Sequence, residues 1–261
     1  MRFIRKQSGS FLSGGVSGTH GLAREALSEL LWPTRCVGCD LPGELLCEEC
    51  RASLPWIEQR WACPVCGAPF GFLTCTACGA MGDKPDWETR ACIAALSFEG
   101  TPARMVRSLK DLHELRLAPI MAAAMLGALE EASAWPALDG SSRYDPDVLD
   151  AIAFVPATAQ AYARRGFDHM ELIARELSNM SGLQLADVIV RAESQDQRDL
   201  SREERQANLK GSIRVADDVL GMRILLVDDV CTTGSSIREA ARVLLDRGAS
   251  SVTACIFARV W

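Results

Sequence analysis

The chain has 261 residues, of which 28 are basic and 34 acidic, with a net charge of −6, 48% apolar residues and eleven cysteines. This composition excludes disorder and collagen and leaves room for one good-sized domain plus a smaller one. No run approaches the ~20 apolar residues that cross a bilayer, and MRFIRKQSGSFLSGG lacks an apolar h-region, so secretion and membrane insertion are not expected and a cytoplasmic location is. The acidic total argues against a protein built chiefly to coat nucleic acid, though it allows a local basic patch. No lysine follows a glycine, which removes the phosphate loop of ATPases and GTPases.

Residues 1–31 are Gly/Ser-rich and then turn helical at LAREALSELL, reading as a loose extension with one short helix. Eight of the cysteines follow in four CxxC pairs, Cys36/Cys39, Cys47/Cys50, Cys63/Cys66 and Cys75/Cys78. Two CxxC turns close one four-thiolate tetrahedral site of the structural kind, so eight cysteines imply two zinc ions. A disulfide framework is the poorer reading without a secretory signal, and a redox pair would need only one CxxC. Short inner gaps favour sequential pairing, Cys36, Cys39, Cys47 and Cys50 on one ion and Cys63, Cys66, Cys75 and Cys78 on the other, with interleaved pairing still open. The module, about residues 32–85, has few apolar residues for its length and is expected to fold around metal.

From about residue 86 to 261 strands and helices alternate. Ala91–Phe98 reads as a strand, Thr101-Pro102 as the capped start of a helix carrying Lys110, and 117–132 as a long helix. AIAFVP reads as a buried strand, and Asp168 with Glu171 as a capping box before a helix with Met170, Ile173, Leu177 and Met180 on its inner face. The polar stretch 192–211 contains a short capped helix by Ser201 and Glu204 and reads as a functional connection. RILLVDD is a buried strand, SIREAARVLLDRG an amphipathic helix and SVTACIFARV a last strand. Such alternation predicts an α/β fold with a parallel sheet, in which ligands bind beyond the carboxyl ends of the strands. Cys92 and Cys255 lie in apolar runs and read as buried.

The chemistry concentrates in ILLVDDVCTTGSS. Asp228 and Asp229 stand at the carboxyl end of a strand. Val230, Cys231, Thr232, Thr233, Gly234, Ser235 and Ser236 then offer hydroxyls and backbone N–H groups at a helix amino terminus, a nest suited to a phosphate monoester. Cys231 at that helix start would have a lowered thiol pKa, though a backbone role is favoured over a nucleophilic one. Acid pairs also end Walker B strands, but the lysine loop is missing; receiver domains begin with such a pair, but need far more chain than follows here. A plain capped helix leaves the acids without a purpose.

This stretch resembles the PRPP-binding motif of type I phosphoribosyltransferases, in which the acids contact ribose hydroxyls and the TTGSS loop holds the 5′-phosphate. With the double zinc ribbon, RRGFDHMELIARELS and QRDLSREERQANLKGSI, the chain from about residue 32 resembles the ComF family. The resemblance implies a type I phosphoribosyltransferase fold behind a double zinc ribbon, and PRPP bound with Mg2+. Its pyrophosphate would lie near the backbone after Val155-Pro156, with Arg165, Arg198, Arg202, Arg205 and Lys210 as candidate contacts. The family's usual RGFNQ is Arg165-Gly166-Phe167-Asp168-His169 here, and Lys110 precedes DLHELRL in place of a glycine-containing turn. His113 and His169 show no recognisable partner. The sequence ends with the last strand, so the unknown acceptor is expected to be read by amino-terminal material such as the zinc module, or not at all. A link with DNA uptake is also implied, and with it an alternative: a PRPP-sensing or catalytically idle protein whose ribbon binds single-stranded DNA or a DNA-processing partner.

Overall fold

The computed structural model describes residues 33–78, 87–191 and 213–261. The expected helices at LAREALSELL and at Ser201–Glu204 lie outside the described residues.

Within the first described segment, one short helix, α1 (Glu48–Ala52), follows Cys47. The first strand of the sheet is β1 (Ala91–Ser97), followed by α2 (Gly100–Asp111) and α3 (Leu117–Ala132). Thr101 does not cap α2: the helix begins a residue earlier, Glu99 stands at the cap, and no side chain there bonds the helix. After β2 (Ala151–Phe154) come α4 (Ala159–Arg165), α5 (His169–Ser181), β3 (Gln184–Leu185) and β4 (Ile189–Arg191). The chain closes with β5 (Ile213–Val215), β6 (Arg223–Cys231), α6 (Ser235–Asp246) and β7 (Ser251–Arg259).

Five strands form one sheet in the order β1-β7-β6-β2-β3, every neighbouring pair parallel, while β4 and β5 form a separate antiparallel pair. The two longest strands, β6 and β7, are apolar through their middles, at residues 224–227 and 254–258, because both faces are covered, as parallel sheets require. Strand alternation then sorts side chains by face. Ile93, Leu225, Val227 and Phe257 point to α2, α3 and α5, where the larger core cluster lies. Cys92, Leu226, Ala254 and Ile256 point to α6 and the β4-β5 pair. On α5 the buried positions are His169, Met170, Ile173, Ala174 and Leu177. Met180 is exposed, because it lies in the last turn, past the reach of the neighbouring helix. The capping box is half formed: Asp168 accepts from the N–H of Met170 and Glu171, but the Glu171 carboxylate turns to Arg175 at 2.6 Å.

The zinc module is stitched to the sheet edge. Ile57 N–H donates to Ala95 O at 3.0 Å and Ser97 N–H to Pro55 O at 2.9 Å, so residues 55–57 cover β1 as a short antiparallel partner. Farther along, Cys92 N–H donates to Pro64 O at 2.9 Å, which lays the second cysteine knuckle on the same strand. An edge that would otherwise present open backbone groups is thereby closed.

Candidate functional site

The eight thiols form two groups, Cys36/Cys39/Cys47/Cys50 and Cys63/Cys66/Cys75/Cys78, each with all four sulfurs within 4.8 Å of one another. Pairing is therefore sequential, and the interleaved alternative falls. Four thiolates about 2.3 Å from a zinc ion stand about 3.8 Å apart in a tetrahedron. The sulfurs of Cys36 and Cys47 are 3.6 Å apart and those of Cys63 and Cys78 3.7 Å, so both sets fit the ion. Backbone N–H groups of Gly38 and Cys47 point at Cys36 Sγ at 3.3 and 3.4 Å. Burial would push that thiol up, but these donors outweigh it and bring it down to about 6. The remaining three cysteines are core residues. Cys92 and Cys255 are fully buried, and Cys231 ends β6, four residues before α6 begins. Cys231 is thus not at the helix terminus, and burial pushes its thiol up to about 11.

The acid pair sits where β6 leaves the sheet. Because successive strand residues face opposite sides, Asp228 and Asp229 are divided between the two faces. Asp229 lies on the side of α2 and α5 and contacts both Lys110 Nζ and His169 Nε2, the latter at 3.2 Å. Burial alone would raise its pKa, but His169 and Lys110 outweigh that and hold it well below the usual carboxylate range. Asp228 faces the α6 side, accepts from the Asp229 N–H at 2.9 Å, and is paired with no cation among the described residues. Burial, reinforced by the charge of Asp229, pushes it up to about 8. One carboxylate is thus kept ionised and its neighbour proton-bearing near neutrality, which is how two adjacent anions share a strand end.

His169 therefore has a partner after all, and its other nitrogen meets Arg165 Nη1 at 3.5 Å. Arg165 also lies 3.7 Å from Asp111. His113 contacts Arg165 O at 3.2 Å and stacks edge-on against Phe167. Sequence reading missed this cluster because its members come from α2, α4, α5 and β6, with no shared spacing. Asp168, which replaces an amide of the family phrase, is a structural brace: its Oδ2 accepts from Ala157 N–H at 2.7 Å. That bond occupies one of the N–H groups after Val155-Pro156, and Pro156 O is taken by Arg191 Nε at 2.7 Å. Arg198, Arg202, Arg205 and Lys210 lie outside the described residues.

Past the acids, Thr232 and Thr233 are exposed, and Gly234 adopts φ +76° before Ser235 opens α6. Thr233 Oγ1 and Ser235 Oγ are 2.7 Å apart. Gly234 is required twice over, by its left-handed backbone and because an added Cβ would lie 2.3 Å from Trp87 Cη2. A cavity of about 400 Å3 opens beside this loop, walled by Cys78 of the second ribbon, Trp87, Thr232, Thr233, Arg238 and Trp261.

Residues 161–260 match the phosphoribosyl transferase domain, and residues 27–79 match the double zinc ribbon domain. The DNA utilization protein YhgH of Salmonella typhi is 29% identical over 229 residues, 84% of this chain and 94% of that protein. Competence protein ComFC of Bacillus subtilis is 28% identical over 217 residues, 81% of this chain and 83% of its own. Competence protein F of Haemophilus influenzae is 23% identical over 227 residues, covering 84% and 93%.

Proposed function

The chain belongs with the ComF family, and from that premise we propose that it binds PRPP with Mg2+ and transfers the phosphoribosyl group to an acceptor. The observation that carries this reading is the divided acid pair at the end of β6, followed directly by a phosphate-sized loop. Asp229, held ionised by Lys110 and His169, would accept a hydrogen bond from a ribose hydroxyl. Asp228 takes the second hydroxyl once it has given up its proton. The N–H groups and hydroxyls of residues 232–236 would hold the 5′-phosphate. Mg2+, when bound, would neutralise charge on the departing pyrophosphate; carboxylates and substrate phosphates are its usual ligands. Displacement at the anomeric carbon develops positive charge, which ionised Asp229 favours electrostatically.

The cavity beside Thr232 and Thr233 supports an acceptor site walled partly by the second ribbon. Its tryptophans suit a flat aromatic group. Calorimetry with PRPP and Mg2+, followed by an acceptor screen for pyrophosphate release, tests the reading. Asp228→Asn combined with Asp229→Asn should abolish binding, and unchanged binding would rule the reading out.

A second reading rests on the ribbon's surface. Trp61, Phe70, Phe72 and Leu73 are exposed there, and the Arg60 guanidinium lies 4.6 Å from the Trp61 ring centroid. Exposed rings beside a cation suit stacking of single-stranded bases, and the relatives' names point to DNA. Under it, Trp61→Ala combined with Phe72→Ala weakens single-stranded DNA binding about tenfold or more in gel shift; no binding by the unaltered chain would remove it.

A further inference from the structure

Arg259 is the last residue of β7 and is 3% exposed. No carboxylate pairs with it among the described residues. Its guanidinium meets backbone carbonyls instead: Nε donates to Cys66 O at 3.0 Å, and Nη1 faces Cys231 O at 3.0 Å, Thr232 O at 2.5 Å and Val260 O. One buried cation thus joins the second zinc knuckle to the first residues of the phosphate loop. The consequence follows from peptide geometry. In a trans peptide the C=O and N–H point in opposite directions. The Cys231 carbonyl is also fixed by the Val260 N–H at 2.9 Å, so the effect of Arg259 falls on Thr232: drawing its carbonyl inward turns the Thr233 N–H away from Arg259, where an anion would meet it.

Charge acts the same way. A zinc ion with four thiolates carries a net −2, which favours a guanidinium held against the knuckle; when the ion leaves, the sulfurs take up protons, that attraction fades and the Cys66 carbonyl loses its fixed place. A second link runs in parallel. Trp87 packs on the apolar side of the second ribbon and on the core beneath α6, and its ring edge lies against Gly234. The loop is gripped near its start by Arg259 and farther on by Trp87. The first ribbon is held elsewhere, by Arg104 Nε to Val37 O at 3.0 Å and Arg104 Nη2 to Gly38 O at 2.7 Å on α2.

We propose that Arg259 is a positioning residue through which zinc at Cys63, Cys66, Cys75 and Cys78 sets the shape, and so the phosphate affinity, of the 232–236 loop. The affinity half rests on the PRPP reading above; the structural half does not. Full-length Arg259→Gln, Arg259→Lys, Cys75→Ser and Arg104→Gln are compared by PRPP–Mg2+ calorimetry and by hydrogen exchange of residues 231–236. Arg259→Gln and Cys75→Ser are expected to weaken PRPP at least tenfold and to speed exchange in the loop, while amides of β2 and α5, away from the ribbon-covered edge, keep their protection. Arg259→Lys, which restores charge without the planar fork, recovers only part of the affinity, and Arg104→Gln stays within twofold of the unaltered protein.

Unchanged loop exchange in Arg259→Gln overturns the proposal, as does an equal loss from Arg104→Gln. Should Cys75→Ser fail to fold, Arg259→Gln and Arg259→Lys decide. If the unaltered protein binds no PRPP, the loop's assignment falls, and exchange alone decides whether Arg259 links ribbon and loop.

Discussion

At the residue scale, the acid pair shows how backbone geometry tunes two identical side chains in opposite directions. Asp228, pushed up to about 8, has a folded pKa above the unfolded value of about 3.9. Between about pH 4 and 8 the native state therefore keeps a proton that the unfolded chain has lost, and stability falls as pH rises through that window. On the proposed reading a ribose hydroxyl bonds the Asp228 carboxylate, so PRPP binding should expel that proton, and affinity should climb up to about tenfold per pH unit below 8. Calorimetry at pH 7 in buffers of different ionisation enthalpy should report about one proton released. Thermal melts from pH 5 to 8 should fall for the native chain and flatten in Asp228→Asn; a flat native profile would contradict the raised pKa.

At the element scale, the decisive piece is the turn between β6 and α6. Its conformation depends on a left-handed glycine packed against an indole that belongs to another part of the chain. Gly234→Ala should therefore cost about 1–3 kcal/mol from backbone strain alone, with the clash against Trp87 added to it. Adding Trp87→Ala should relieve the clash and leave the strain, so a double-mutant cycle in denaturant should show interaction well beyond 0.5 kcal/mol. Additive costs would mean that the ring does not press on the loop.

At the scale of the whole molecule, the ribbons are part of the sheet's edge as well as metal modules. Residues 55–57 and the second knuckle both bond to β1, so losing zinc should expose a long apolar strand. Chelation should release two zinc ions per chain, lower the melting temperature by on the order of 10 °C and raise light scattering, because structural zinc supplies folding energy outright. A melt indifferent to chelator would detach the metal sites from the fold. The sequence by itself determined the parallel α/β sheet, the eight metal thiolates and the acid pair with the small-residue loop after it, because each is written as local spacing: apolar runs of strand length, CxxC turns, and small residues between a strand and a helix. Only the tertiary structure decided which thiols share an ion, that Asp229 is held by Lys110 and His169 while Asp228 is not, and that Arg259 and Trp87 bind the second ribbon to the loop. Those contacts join residues far apart in the chain, where charge, burial and packing depend on which face each strand turns toward, and no local spacing records that.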